Sequence, residues 1–471
     1  MKRFLKWKWL LRISLVMVVL ACLLPCSGVF LNRYIGQTEV AKIVAKLDAD
    51  DPNWKLDDLA NELNAKLPPP ERNPATIVEE AKRAIPAGTN VLSNNLPDLS
   101  KLPINCLPEK NDQDAYTQLL KLSEPALKFT RLLIGAPEGG RQLQYPRNPL
   151  TIDLTQIQEH RKVAALIQYD AMSAVYAGKP YDAVRSARAG FGVPRAIGSE
   201  PMLISQLVRM ATDAVAASTV ERILNLGEPT VGLAELQADL VQQSNFPYLR
   251  ESMRGERASV HRMFEIIDSG EINNTPGGGI GLPIGNSLTL IALRIDLPAD
   301  HAFSLRMMTG YTEAGKLPPD QQHAATKAVP TPQRGSLQYK LTSMLSPAVE
   351  KVSEASLRSR GKLAATAVGV ACERYRQKFG QWPLTLDMIP KDILSEIPND
   401  PFTGKPINYK RLPTGIVVYT IGPDMKDDGG MLDDPSAGVQ GKDYGIRIYD
   451  PALRRQPAPP KPVEEVVPDN P

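Results

Sequence analysis

The sequence predicts a mainly α protein with a C-terminal α+β unit, carried behind an N-terminal transmembrane helix. Three observations carry this. Residues 13–31 hold nineteen positions without a charge. Between about 112 and 268, apolar residues recur at steps of three and four, the helical period. Near the C-terminus, "GIVVYTI" and "YGIRIYD" have the β-branched and aromatic composition of strands.

Residues 1–12 are a basic cytoplasmic segment with Lys2, Arg3, Lys6, Lys8 and Arg12 and no acid. The uncharged run 13–31 suffices to cross a hydrocarbon core of ~30 Å at ~1.5 Å per helical residue. Its basic flank, with Trp7 and Trp9 placed for the interface, orients the body outward. The expected place is the cytoplasmic (inner) membrane, as a single-pass signal-anchor protein with a periplasmic body. A cleaved signal peptide built on residues 10–20 is the rival reading, and "VLAC" at 19–22 resembles a lipoprotein box. The apolar run continues for nine residues past Cys22, which favours the anchor.

Five of the 55 Lys and Arg lie in that first segment, leaving 50 against 52 acidic residues. A body near neutrality has no basic footprint for nucleic acid. Cys106 and Cys372 are the cysteines beyond the membrane segment, read as two buried thiols with a bridge as the alternative. Four His and no CxxC outside the membrane offer little to zinc.

Residues 32–110 read as short helices and a linker. "AKLDADDPNWKLDDLANELNAKLPPPERN" gives a helix, a break at Pro52, a second helix and a proline stop. Asp48, Asp50 and Asp51 stand as in a calcium loop, but Asn53 occupies the sixth position, where an EF-hand needs glycine. Residues 84–110 are rich in Pro and Asn and read as the linker.

Residues 111–268 read as a helical domain. Leu203, Leu207, Met210, Ala214 and Ala217 draw one stripe, and Val163, Ile167, Ala171 and Ala174 another. Gly178 and Pro180 mark a tight helical hairpin resembling one tetratricopeptide turn, although the ~34-residue period does not recur. Residues 269–344 are a Gly/Pro-rich connection with a helix through about 286–310; its glycine run lacks the Gly-Lys-Ser/Thr of a phosphate loop.

Residues 345–450 read as a compact α+β unit. Ser346 and Pro347 are placed as cap and first residue of a helix of some 34 residues. Leu357, Ala364, Val368, Ala371, Tyr375 and Phe379 form its stripe, and Gly380 and Pro383 end it. Turn residues in "DPFTGKPINY" introduce a short strand at 407–409, followed by a hairpin through 412–415 and a third strand at "YGIRIYD". Residues 451–471 carry too few apolar side chains to fold and read as a disordered Pro-rich tail.

The order "YRQKFGQWPLTLDMI", "IPNDPFTGKPINYKR", "YTIGPDMKDDGG" resembles the C-terminal half of type II secretion major pseudopilins, over roughly residues 350–450. In that family the acidic loop after the sheet hairpin binds calcium. The resemblance implies Asp424, Asp427, Asp428, Asp433 and Asp434 as ligands, with Met425 standing where the family has glycine. Roughly 300 residues separate the membrane segment from this unit, and no "GFTLxE" leader stretch occurs, so pilin-like polymerisation is not implied. The N-terminal "LDADDPNWKLDDL" and the middle "EPMLISQLVRMATDAVAASTVERIL" also resemble membrane-anchored proteins of planctomycete bacteria, which implies the architecture and no reaction.

No HExxH, GxSxG or paired Cys/His pattern occurs, so no catalytic residue is assigned. "RGERASVHRMFE" reads as an ion-pair network of Arg254, Arg257 and Arg262 with Glu251, Glu256 and Glu265. His160, beside Glu159, reads as an exposed helix residue. The expected function is a membrane-tethered interaction or scaffold protein of the envelope with a protein partner. A component of a secretion- or pilus-like apparatus and an enzyme without a recognisable motif are the alternatives.

Overall fold

The computed structural model describes residues 30–87, 89, 96, 98–271, 287–333, 339–346, 348–433 and 440–459. The expected membrane span, all but its last two residues, lies outside these. Among the described residues, no helix is long and apolar enough to cross a membrane.

The chain is mainly helical, with one small antiparallel sheet near its C-terminus. Helix α1 covers residues 30–50, followed by α2 (Leu56–Asn64), α3 (Pro74–Arg83), α4 (Lys110–Leu122) and α5 (Glu124–Thr130). The body continues with α6 (Thr155–Tyr176), α7 (Pro180–Gly190), α8 (Gly192–Ile197), α9 (Leu203–Leu226), α10 (Leu233–Ser244) and α11 (Tyr248–Ser269). Then come α12 (Ser287–Ala314), α13 (Pro319–Ala328), α14 (Lys340–Leu345) and the 31-residue α15 (Val349–Phe379).

The hairpin between α6 and α7 forms where expected. Gly178 takes a left-handed φ of +72°, and Pro180 opens the next helix. Pro52 separates α1 from α2, with Asn53 at φ +66° rather than on a calcium loop. Ser346 does not cap α15. It closes α14 instead, its Oγ donating to Thr342 O at 2.5 Å, and Ala348 stands at the cap of α15. Pro347 lies outside the described residues.

The stripe expected on α9 is buried only in part, at Met210 and Ala217. Leu207 and Ala214 are exposed, while Arg209, Thr212 and Asp213 are buried among Val208, Ala216 and Val220. Neighbouring polar side chains make this possible. Arg209 is held by both Glu138 oxygens at 2.9 Å and by Gln243 at 2.8 Å, and Asp213 accepts from Tyr248 Oη at 2.8 Å. Burial pushes Asp213 up to about 7.

Strands β1 (Asn408–Leu412), β2 (Gly415–Thr420) and β3 (Tyr444–Tyr449) form an antiparallel sheet in the order β1-β2-β3. The register pairs Val418 with Ile446 and Ile416 with Ile448, which sets these four on one face, against α15. Gly369 of α15 lies so close to Ile446 and Ile448 that an added Cβ would sit 3.0–3.3 Å from them. Residues 363–372 of α15 are buried on all sides, because α9 and α10 cover the flank turned away from the sheet. One hydrophobic cluster therefore joins Val220, Ile223 and Leu240 of the body to Val368, Val418 and Ile448.

The start of the expected disordered tail is ordered, a correction with an electrostatic cause. Arg455 donates to the carbonyls of Val175, Tyr176 and Leu226, at the C-terminal ends of α6 and α9. Those carbonyls have no partner within their helices and carry the negative end of the helix dipole. Arg454 grips Glu373 with two nitrogens at 2.9 and 3.2 Å. Gln456 then pairs with the 105–107 stretch of the linker through Asn105 O and Leu107 N. Charge satisfaction at helix ends orders these residues where apolar burial would not. Residues 460–471 lie outside the described ones.

Candidate functional site

The sheet docks on the body through its edge. Arg447 N donates to Glu221 Oε1 at 2.9 Å, and Tyr449 N donates to Asn225 Oδ1 at 2.8 Å. Asn225 Nδ2 donates to Arg447 O at 2.7 Å, while Lys362 Nζ donates to both Gly445 O and Glu221 Oε2, at 2.5 and 2.6 Å. Side chains of α9 and α15 thus occupy the backbone groups that a further strand would use, closing this edge to strand addition.

Beside that seam lies a cleft of about 1110 Å³. One wall is the linker, with Leu99, Leu102 and Ile104. The other is the outward side of the sheet, with Leu412, Val417, Arg447 and Tyr449. Gln168, Tyr169 and Glu221 form the floor. Arg222 fixes the linker wall by donating to the carbonyls of Leu99, Leu102 and Pro103, at 2.7 Å for Leu102. Apart from Arg447 the wall residues named are apolar or aromatic, and Glu221, Arg222 and Lys362 are bound to backbone or to one another.

The acidic loop forms one end. Gly430, Met431, Leu432 and Asp433 line it together with Asp443, which is 2% exposed. Asp443 Oδ2 accepts from Gly430 N at 2.8 Å, and its Oδ1 has no hydrogen-bond partner among the described residues. Burial first, and the nearby Asp427 and Asp428 second, push Asp443 above the usual carboxylate range, against the pull of backbone N–H groups.

Of the residues expected as calcium ligands, Asp424, Asp427, Asp428 and Asp433 are exposed on this loop, and Asp434 lies outside the described residues. The structure gives two of them, Asp427 and Asp424, protein partners. Asp427 Oδ1 accepts from Gly429 N at 2.8 Å and Tyr419 Oη at 2.9 Å, and these bonds hold it below the ordinary range. Asp424 accepts from Lys426 N at 3.3 Å and lies 3.5 Å from Lys442 Nζ. Met425 takes φ +59°, a left-handed conformation that favours glycine. Among the described residues, no group of three or more His, Cys, Asp or Glu stands close enough to hold a metal.

The stretch "DPFTGKPINY" serves the sheet. Asp400 is buried and accepts from Phe402 N at 2.8 Å and Ile421 N at 3.0 Å, tying the turn to the end of β2. The arginines of "RGERASVHRMFE" pair mainly with the N-terminal segment rather than within their own helix: Arg257 with Asp51, Arg262 with Asp57 and Arg254 with Glu62. Glu256 instead accepts from Leu203 N. His160 is half-buried, its Nδ1 3.1 Å from Gln156 O. Cys106 and Cys372 are both buried and free.

Glu221, Asn225, Lys362, Asp443 and Arg447 were not legible as a group. The available signal was "TVERILNL", where polar and apolar residues alternate without a solvent face. No protein-family model, curated protein or solved structure matches the chain.

Proposed function

We propose that the chain is a membrane-anchored scaffold of the cell envelope whose cleft holds an extended segment of a partner polypeptide. The cleft between linker, body and sheet is the observation that carries this. Its apolar walls suit aliphatic side chains, and the Asp433–Asp443 end suits a basic one. The β3 edge is already occupied, so the partner is read by side-chain pockets and not by strand addition. The anchor is residues 13–31. Phe30, Leu31, Tyr34 and Ile35, on the turns of α1 nearest to it, are all exposed apolar residues.

The test places a photo-crosslinking residue at Leu102 or Leu412 of the full chain in its native membranes, with Leu122 on the body as the comparison. Adducts of one defined mass at both cleft positions, absent at Leu122, are expected. Equal yields at all three positions would overturn the reading.

Two observations favour further readings. The helix-then-sheet order of residues 349–449 supports a place in a secretion-like apparatus for the same partner. The free oxygen of Asp443, near Asp427 and Asp428, supports calcium on the acidic loop if Asp427 and Asp428 turn toward it. Melting that is identical with calcium and with chelator would end the calcium reading.

A further inference from the structure

Residues 30–64 lie across the body as a strap, fixed by charge pairs along their length. Arg33 meets Asp268 at 2.5 Å, Glu39 meets Arg306 at 2.9 Å, and Asp57 meets Arg262 at 2.7 Å; Asp51 pairs with Arg257. At the centre of the strap Trp54 is 1% exposed, and its Nε1 donates to Asp48 Oδ1 at 2.9 Å. The Trp54 ring rests 4.7 Å from that of His261.

Beneath Trp54 two buried histidines face each other, one from α11 and one from α12. His261 Nδ1 lies 2.8 Å from His301 Nε2, and the His301 ring stacks on Phe264 at 4.8 Å and 3°. A contact this short between imidazole nitrogens needs one N–H and one lone pair, so both rings cannot carry the facing proton. The charged groups around them are Asp48 and Lys55 from the strap, and Arg257, Arg262 and Glu265 from α11. Asp300, next to His301 on α12, is committed to the Leu341 and Thr342 amides.

We propose that the His261–His301 pair is an acid-operated latch that holds Trp54 and the strap on the body while neutral and releases them when protonated. A proton on each ring would break the imidazole contact and set two positive charges beside Arg257, Arg262 and Lys55, against Asp48 and against Glu265, whose Oε1 lies 3.4 Å from His261 Nε2. Burial draws His261 down to about 4 and His301 to about 3, against an ordinary value of 6.5 that each regains on release. The open form therefore binds more protons. The latch is fully held above pH 6.5 and loses ground as the pH falls toward about 4, by about tenfold per pH unit for each imidazole. The strap carboxylates respond lower. Asp48 is held below the ordinary range by Trp54, and Asp51, against its burial, by Arg257.

Hydrogen exchange of the full chain in lipid nanodiscs, from about pH 7.5 to about pH 4.5 and corrected for intrinsic rates, tests this. Strap peptides within 36–64 are compared with β2 (Gly415–Thr420) as the internal reference. Protection of the strap should hold steady above pH 6.5 and fall about a hundredfold per pH unit below about pH 6 in the wild type, and about tenfold in His301→Gln, with β2 unchanged. Strap protection that stays parallel to β2 down to the lowest pH, or a His301→Gln slope equal to that of the wild type, would overturn the latch. If His301→Gln also loses β2 protection, it has unfolded, and the wild-type slope alone decides.

Discussion

Glu373 shows at the scale of one residue how the chain uses charge in its interior. It is 0% exposed on α15 and receives Arg376 Nη2 at 2.6 Å and Arg454 Nη2 at 2.9 Å. Burial works against its charge, yet the two guanidiniums together hold it below the ordinary carboxylate range. Removing one partner of such a group strands the others without water. Glu373→Ala should therefore destabilise the chain by about 3–5 kcal/mol, measured by denaturant unfolding, because Arg454 is left buried. A depressed carboxylate contributes stability above its ordinary value of 4.5, and the contribution is lost as the pH falls through the folded-state value. The wild-type advantage over the variant should shrink on acidification, and an advantage that grows would contradict the pairing. Arg376 stands three positions along the same helix, a local spacing, whereas Arg454 lies 81 positions away and was not readable at Glu373.

At the scale of elements, the sequence was most informative where local chemistry decides the backbone. Gly178–Pro180 ends one helix and starts the next through φ preferences alone, and Gly380 ends α15 at φ +75°. The hairpin between β1 and β2 likewise follows from turn residues and β-branched runs. Reading failed where a partner element decides. Leu207 sits on a helical stripe yet faces solvent, because Glu138, Gln243 and Tyr248 make the polar side of α9 the buried one. The acidic loop stands between these cases. Its five Asp residues advertise a cation site, while the structure gives Asp427 and Asp424 hydrogen-bond partners and brings in Asp443, which only the sheet positions. If calcium binds, saturating it at ~100 times Kd should stabilise the folded chain by about 2.7 kcal/mol. Calorimetric melting of the full chain reads that gain directly, and its absence leaves the loop as a hydrogen-bonded cover of the sheet.

For the whole molecule, α15 is the organising fact. Its middle is packed by the sheet on one side and by α9 and α10 on the other, so residues 345–450 share a core with residues 111–268. Arg454 and Arg455 tighten the same junction from the far end of the chain. A fragment of residues 345–450 alone should expose half of α15, bind a hydrophobic dye and melt without a sharp transition. The full chain should unfold through one cooperative step involving both regions. A fragment that melts sharply without dye binding would show that the α+β unit is independent after all.

Taken alone, the sequence determines the helical class, the order of long helix and three-stranded sheet, and the turns, because these follow from periodicity and backbone preference within a few residues. It also sets the uncharged run 13–31 and the near-neutral body. The cleft, the closed β3 edge, the ordered Arg454–Gln456 clamp and the His261–His301 contact were decided only by the tertiary structure. Each joins groups from 40 to more than 200 positions apart, and a buried polar group is tolerated only where a distant partner meets it. That condition belongs to pairs of residues in space, and no local pattern records it.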